Sequence, residues 1–315
     1  MTIFHRLGQW KVEGKISPEQ YSHLASLCRE EPFSLFLELN VLLYAGVMAF
    51  VAGLGWTATT WAHQLGDALV LTAFSAILGS SFWYCFSRAP AWSPSETPSP
   101  TPIFAYVLYL GGLAWAAELT YLESRFHLLS KQWDLYLLTT AGLFFFLAYR
   151  FDNRLVLSLA MSSLAGWFGI TISHWPYHQS ATYRRCAILY SLLIGVVGAL
   201  LQRRRLKPHF LGTYLNIAAN VIFCALLSGV FKPEGYGVWF LGLLIACAGS
   251  LAWGLSRHQF IFVVYATIYG YIGVSSLVLG HIVTNETAVL SYFVSSAVAI
   301  LVALIQIALR FGRQA

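Results

Sequence analysis

The chain has 315 residues, 58% of them hydrophobic and only 10% charged, with a formal net charge of +6. Soluble domains carry about 25% charged residues, so a water-facing surface over the whole chain is excluded and repeated apolar runs of membrane-crossing length are expected. The positive charge is not laid out as a basic face interleaved with stacking aromatics. Nucleic acid is therefore not an expected partner and the lipid bilayer is, with excess Lys and Arg recording orientation and meeting anionic headgroups.

Residues 1–34 are the one sizeable polar segment. Phe4, Leu7 and Trp10 recur at helical spacing until Gly14. Ser17-Pro18-Glu19-Gln20 then reads as a capping box with proline at the first helical position, and Tyr21, Leu24, Ala25 and Cys28 continue as an apolar stripe. The expectation is a short amphipathic helical hairpin, too small to fold alone. It rests on the bundle that follows or docks a protein partner. Arg6, Lys11, Glu13 and Lys15 stand where a cleavable signal needs an apolar core, so the first span is expected to insert the chain.

From residue 35 to 311 about ten apolar spans follow. They fall near Leu37–Thr57, Asp67–Phe86, Ile103–Leu122, Trp133–Tyr149, Leu155–Ile172, Cys186–Leu201, Phe210–Phe231, Val238–Leu255, Phe260–Leu279 and Thr287–Leu309. Only Arg150-Phe151-Asp152-Asn153-Arg154 separates the fourth from the fifth, which demands a tight turn. The fold class read from this pattern is all-α, a polytopic transmembrane helix bundle preceded by the amphipathic hairpin.

Orientation follows from Arg203, Arg204, Arg205 and Lys207, which stand between two apolar runs. A cation at the bilayer centre costs about 2.5–3.5 kcal/mol even on insertion scales, so this cluster is expected to stay in the cytoplasm. Alternation then leaves Arg125, Lys131, Arg184, Arg185 and Lys232 outside, five of the 19 Lys and Arg, and puts both termini in the cytoplasm. The connection Arg88–Thr101, followed by Pro102, carries a proline every few residues. It is expected to be an extended, mobile cytoplasmic loop, a linker or a second seat for a protein partner.

Polar residues inside the spans are few. Asn216 and Asn220 lie four apart on one helix face, and Glu118 lies about one turn inside the outer end of the third span. Such groups need partners, either interhelical hydrogen bonds or a bound solute, and these three are the candidate substrate-binding residues. Arg125 or Arg184 could neutralise Glu118. His174 and His178 are the candidate metal ligands on the outer face, although Pro176 between them opposes a continuous helix. Cys28, Cys85, Cys186, Cys224 and Cys247 form no Cys-x-x-Cys pair, so neither a disulfide framework nor a zinc site is indicated. No nucleophile elbow, His-Glu-x-x-His or phosphate-cradling Gly-Lys loop is present, and no catalytic residue or cofactor is expected.

Trp10, Gly14, Ile16-Ser17 and Glu19-Gln20-Tyr21, followed by a span with Asn40 and Tyr44-Ala45-Gly46, resemble an uncharacterised family of bacterial membrane proteins, the domain of unknown function 2157. The resemblance covers about the first 60 residues. It implies a bacterial inner-membrane location and no assigned activity. In length and span number the chain also resembles drug and metabolite transporters, which lack the leading hairpin. Three classes of function stay open: a non-enzymatic membrane protein of assembly or envelope homeostasis, a small-solute or ion-linked transporter, and an intramembrane lipid-modifying enzyme.

Overall fold

The computed structural model describes residues 7–8, 10–11, 13–30, 36–127, 133–173, 180–232, 236–281 and 286–314. Among them there is no strand. The α-helices are α1 (Pro18–Glu30), α2 (Phe36–Leu65), α3 (Asp67–Arg88), α4 (Pro102–Phe126), α5 (Trp133–Phe151), α6 (Arg154–Ser173), α7 (Ser180–Arg203), α8 (Leu211–Val230), α9 (Tyr236–Ser256), α10 (Phe260–His281) and α11 (Glu286–Gln314). A 3₁₀ turn, Pro208–Phe210, leads into α8.

At the N-terminus the capping box forms as read: Gln20 N donates to Ser17 Oγ at 3.1 Å and Ser17 N donates to Gln20 Oε1 at 2.9 Å. Gly14 takes a φ of +69° that a side chain would resist, which lets the chain reverse. Across that reversal the Lys11 ammonium sits 4.8 Å from the centre of the Tyr21 ring, tying the two arms of the hairpin together.

Nine of the described helices are long and apolar enough to cross a membrane. Their apolar side chains point outward as much as inward. None of Val289–Ile307 on α11 is buried, and Trp56, Trp83 and Val238 are each 75% exposed. Helices this apolar on their open faces are stable only where the surroundings are apolar too. The chain is a multi-pass membrane protein. The remaining bundle helix, α5, is framed by Asp134 and Arg150 and at 19 residues is about 28 Å long, close to the thickness of a hydrocarbon core.

The bundle is assembled from antiparallel hairpins, α3/α4, α5/α6, α7/α8 and α9/α10, with α2 leaning on α4 and α11 on α10. In the α5/α6 hairpin Asp152 takes a left-handed conformation, which Asp tolerates better than most residues. Asn153 then caps α6, its Oδ1 accepting the backbone N–H groups of Leu155 and Val156 at 3.0 Å each. The main core gathers one face from each of α3 to α8: Cys85, Phe104, Leu108, Phe144, Leu147, Leu157, Met161, Tyr190, Phe210 and Tyr214. Phe223, Leu226, Val230 and Leu243 form a second cluster between α8 and α9.

Helix limits depart furthest from the expected spans at two places. α2 continues past Thr57 to Leu65, and α7 starts at Ser180, so Arg184 and Arg185 lie within a helix and not in a loop. Arg184 is buried, with its guanidinium 5.0 Å from the centre of the Trp239 ring on α9. The ring quadrupole attracts the guanidinium and offsets part of the cost of burying it.

Candidate functional site

The connections after α3, α5 and α7 meet at one end of the bundle, as alternating helix directions require. The loop between α3 and α4 has no helix or strand, as its prolines dictate, but it is not the free linker expected. It is strapped to the other two turns. Lys207 N donates to Pro94 O at 2.7 Å, Lys207 Nζ donates to Ser95 O at 3.1 Å, and Thr97 N donates to Asp152 Oδ2 at 2.5 Å. Arg150 reaches Pro90 O at 3.1 Å, and Arg154 pairs with Glu96 at 2.9 Å. A proline-rich backbone has few N–H donors and no internal pairing, so its carbonyls are open to donors from the neighbouring turns.

The centre of this strap is a buried ion pair. Lys207 Nζ lies 2.9 Å from Asp152 Oδ2, with side chains 1% and 2% exposed, and His209 Nε2 hydrogen-bonds the other carboxylate oxygen. Both residues of the pair hold positive φ, +58° at Asp152 and +47° at Lys207. The turns are bent so that the two side chains point at one another beneath the strap. Arg203, Arg204 and Arg205 are exposed, so of the four cations read as topology determinants Lys207 alone is withdrawn from solvent and neutralised.

Beside the pair lies a cleft of about 520 Å³ lined by Tyr44, Ser99, Ala105, Asp152, Asn153, Arg154, Leu155, Ser158, Thr213 and Asn216. It opens among the first turns of α4, α6 and α8 and the nearby part of α2, all of which start at this end. A second cavity, about 530 Å³ between α2, α3 and α4, is lined by apolar groups such as Met48, Val51, Trp56 and Phe74. A third, about 360 Å³ between α4, α5 and α6, holds Trp133, Tyr136, Thr140 and Ser163.

Of the three candidate binding residues, Asn216 and Asn220 are bonded to one another and Glu118 is held elsewhere. Glu118 on α4 accepts a hydrogen bond from Ser75 Oγ on α3 at 2.5 Å. Neither proposed arginine neutralises it, for Arg125 pairs with Asp67 at 2.9 Å and Arg184 lies against Trp239. Asn220 is spanned by two bonds, donating to Asn216 O at 2.8 Å and accepting from Tyr269 OH on α10 at 3.0 Å. Only Asn216 lines the cleft, and its Oδ1 is buried without a partner. His174 and His178 lie outside the described residues. No group of three potential metal ligands occurs among the described ones.

Compared with known proteins, the chain matches no family model, no curated protein and no solved structure.

Proposed function

We infer that the chain is a non-enzymatic multi-pass protein of a bacterial inner membrane, with both termini cytoplasmic, whose role lies in assembly or envelope homeostasis. The observation that carries this reading is how the polar groups within the spans are used. Ser75 holds Glu118, Tyr269 holds Asn220, Tyr149 meets Tyr214 at 2.9 Å, Tyr271 meets Ser296 at 2.9 Å and Ser275 meets Tyr292 at 3.0 Å. Each bond joins two helices, and a carrier whose helices rock against one another would break those that cross between the moving units. The surplus of cations on the side of Arg203–Arg205 supports a cytoplasmic placement of the strapped end. The amphipathic hairpin and the strap, on that same side, are the surfaces a protein partner would meet.

Thiol labelling tests both parts. In a cysteine-free background, Arg204→Cys is expected to react with a membrane-impermeant maleimide only after intact cells are permeabilised. Ala219→Cys, on α8 in the same turn as Asn220, is expected to resist the reagent from either side. Labelling of Arg204→Cys in intact cells inverts the orientation. Labelling of Ala219→Cys from both sides replaces the static bundle with an alternating-access carrier, the second reading, which the polar cleft at Asn216 favours.

A further inference from the structure

We propose that the cleft bounded by Asn153, Arg154, Thr213 and Asn216 binds a phosphate ester that bears a hydroxyl group, the chemistry shared by a phosphoglycerol lipid headgroup and a free glycerol phosphate. The volume of about 520 Å³ lies within the range of small-molecule sites. Its free polar complement consists mainly of donors. The one acid in the lining, Asp152, has both carboxylate oxygens occupied, by Thr97 N and Lys207 Nζ on one and His209 on the other. Arg154 carries five N–H donors and Glu96 engages it through one terminal nitrogen at 2.9 Å, on a side chain 56% exposed. Hydroxyls of Thr213 and Ser99 and the carboxamide of Asn153 stand around the same space.

Two features sharpen the ligand class. The N-cap and first residues of α6, Asn153, Arg154 and Leu155, line this cleft, so the positive end of that helix dipole favours an anion there. Asn216 contributes the opposite requirement. Its Oδ1 is a buried acceptor with no partner, which an anion without an O–H donor would leave unpaired and a hydroxyl on the same ligand would satisfy. Glu96 competes with the phosphate for Arg154. Ligand entry exchanges an exposed ion pair, worth little in water, for a partly desolvated one.

The test uses the full chain in nanodiscs of phosphatidylcholine, titrated with glycerol 3-phosphate by calorimetry. In parallel, discs containing phosphatidylglycerol are analysed by native mass spectrometry for retained lipid. Saturable binding in the first arm identifies the free ester as the source, and selective lipid retention in the second identifies the headgroup. In whichever arm binds, Arg154→Gln is expected to weaken binding about tenfold or more, since it removes charged hydrogen bonds. Glu96→Gln is expected to tighten it, a change that a purely structural pair would not produce. Arg204→Gln, exposed on the adjacent turn, should leave it within about twofold, as nonspecific charge attraction would not. Circular dichroism of each variant reports that the helices are intact. The proposal is overturned if neither arm binds, if Arg154→Gln leaves binding unchanged, if Arg204→Gln weakens it as much as Arg154→Gln, or if Glu96→Gln fails to tighten it.

Discussion

Replacing Asp152 by asparagine keeps the shape of the side chain and removes the charge that faces Lys207. The ammonium is then left 1% exposed without a counter-charge, facing only neutral acceptors, the Ser95 carbonyl and the asparagine amide oxygen. Breaking one side of a buried ion pair costs about 3–5 kcal/mol, and part of that cost is relieved when the strap lifts and admits water to Lys207. The population of the lifted strap should therefore rise by up to about a hundredfold, the limit reached if opening relieves all of the lower-bound cost at a decade per 1.4 kcal/mol. The strap carries its own reporter, because Glu96 precedes the Thr97 amide that Asp152 holds at 2.5 Å. A Glu-specific protease acting on detergent-solubilised protein cuts that bond only when the amide is released. While opening and closing outpace cleavage, the rate reads the open population. Arg154→Gln is the control. Its pair with Glu96 is more than half exposed on both sides and worth at most about 1 kcal/mol, so cleavage should change less than about fivefold. Adding Lys207→Met to Asp152→Asn removes the stranded charge and should restore part of the protection, a coupling that a double-mutant cycle measures. If Asp152→Asn is cut no faster than Arg154→Gln, the ion pair does not hold the strap.

Two further predictions concern the packing of the spans. A Cβ at Gly229 would lie 2.4 Å from Trp239 Cγ and 2.5 Å from Cδ2, so Gly229→Ala should lower the apparent thermal midpoint in detergent, consistent with about 1–3 kcal/mol of overpacking. Gly195→Ala, with nothing within 4 Å of the new carbon, should not, and equal effects at the two sites would refute the assignment of the α8/α9 contact. Tyr269→Phe removes the hydroxyl bonded to Asn220 while keeping the ring stacked 4.8 Å from Phe223. It should cost about 0.6 kcal/mol and no more than about 1.7, as for other interhelical bonds in membranes, and a neutral result in chemical denaturation would show that Asn220 finds another partner.

How much of this was legible beforehand depended on how local each signal is. The capping box at Ser17-Pro18-Glu19-Gln20 is a four-residue pattern, and it forms with the bonds its spacing implies. The tight turn at Asp152-Asn153 could also be read, since an acid and an amide between two arginines suit a left-handed residue followed by a helix cap. The hairpins follow from run lengths alone. By contrast, Gly195 and Ala199 have the spacing of a small-residue contact, yet on the same helix it is Gly198 that Tyr214 approaches, with a Cβ there falling 2.7 Å from Tyr214 Cβ. Spacing of small residues marks several faces of a helix, and only the partner's side chain selects one.

The candidate site was the least legible part, and the reason is physical. Asp152 and Lys207 are 55 residues apart and Ser95 and Lys207 are 112 apart, so no window of sequence contains the bonds. What the sequence did contain was an anomaly of another kind: one acid, Asp152, between two arginines, and one lysine set apart from three arginines by Leu206 and followed by Pro208. A cluster that only fixed orientation would need neither. Arg203, Arg204 and Arg205 are exposed, whereas Lys207 carries its charge into the bundle and spends it on Asp152. The same short stretch thus supplies two different energies, a transfer cost that keeps one end of the helices on one side of the membrane and a buried pair that closes three turns over that end. The second borders the cleft, with Asp152 in its wall. With Asp152 saturated by the strap, the donors of Arg154, Asn153 and Thr213 are left facing a space with no free carboxylate in its lining.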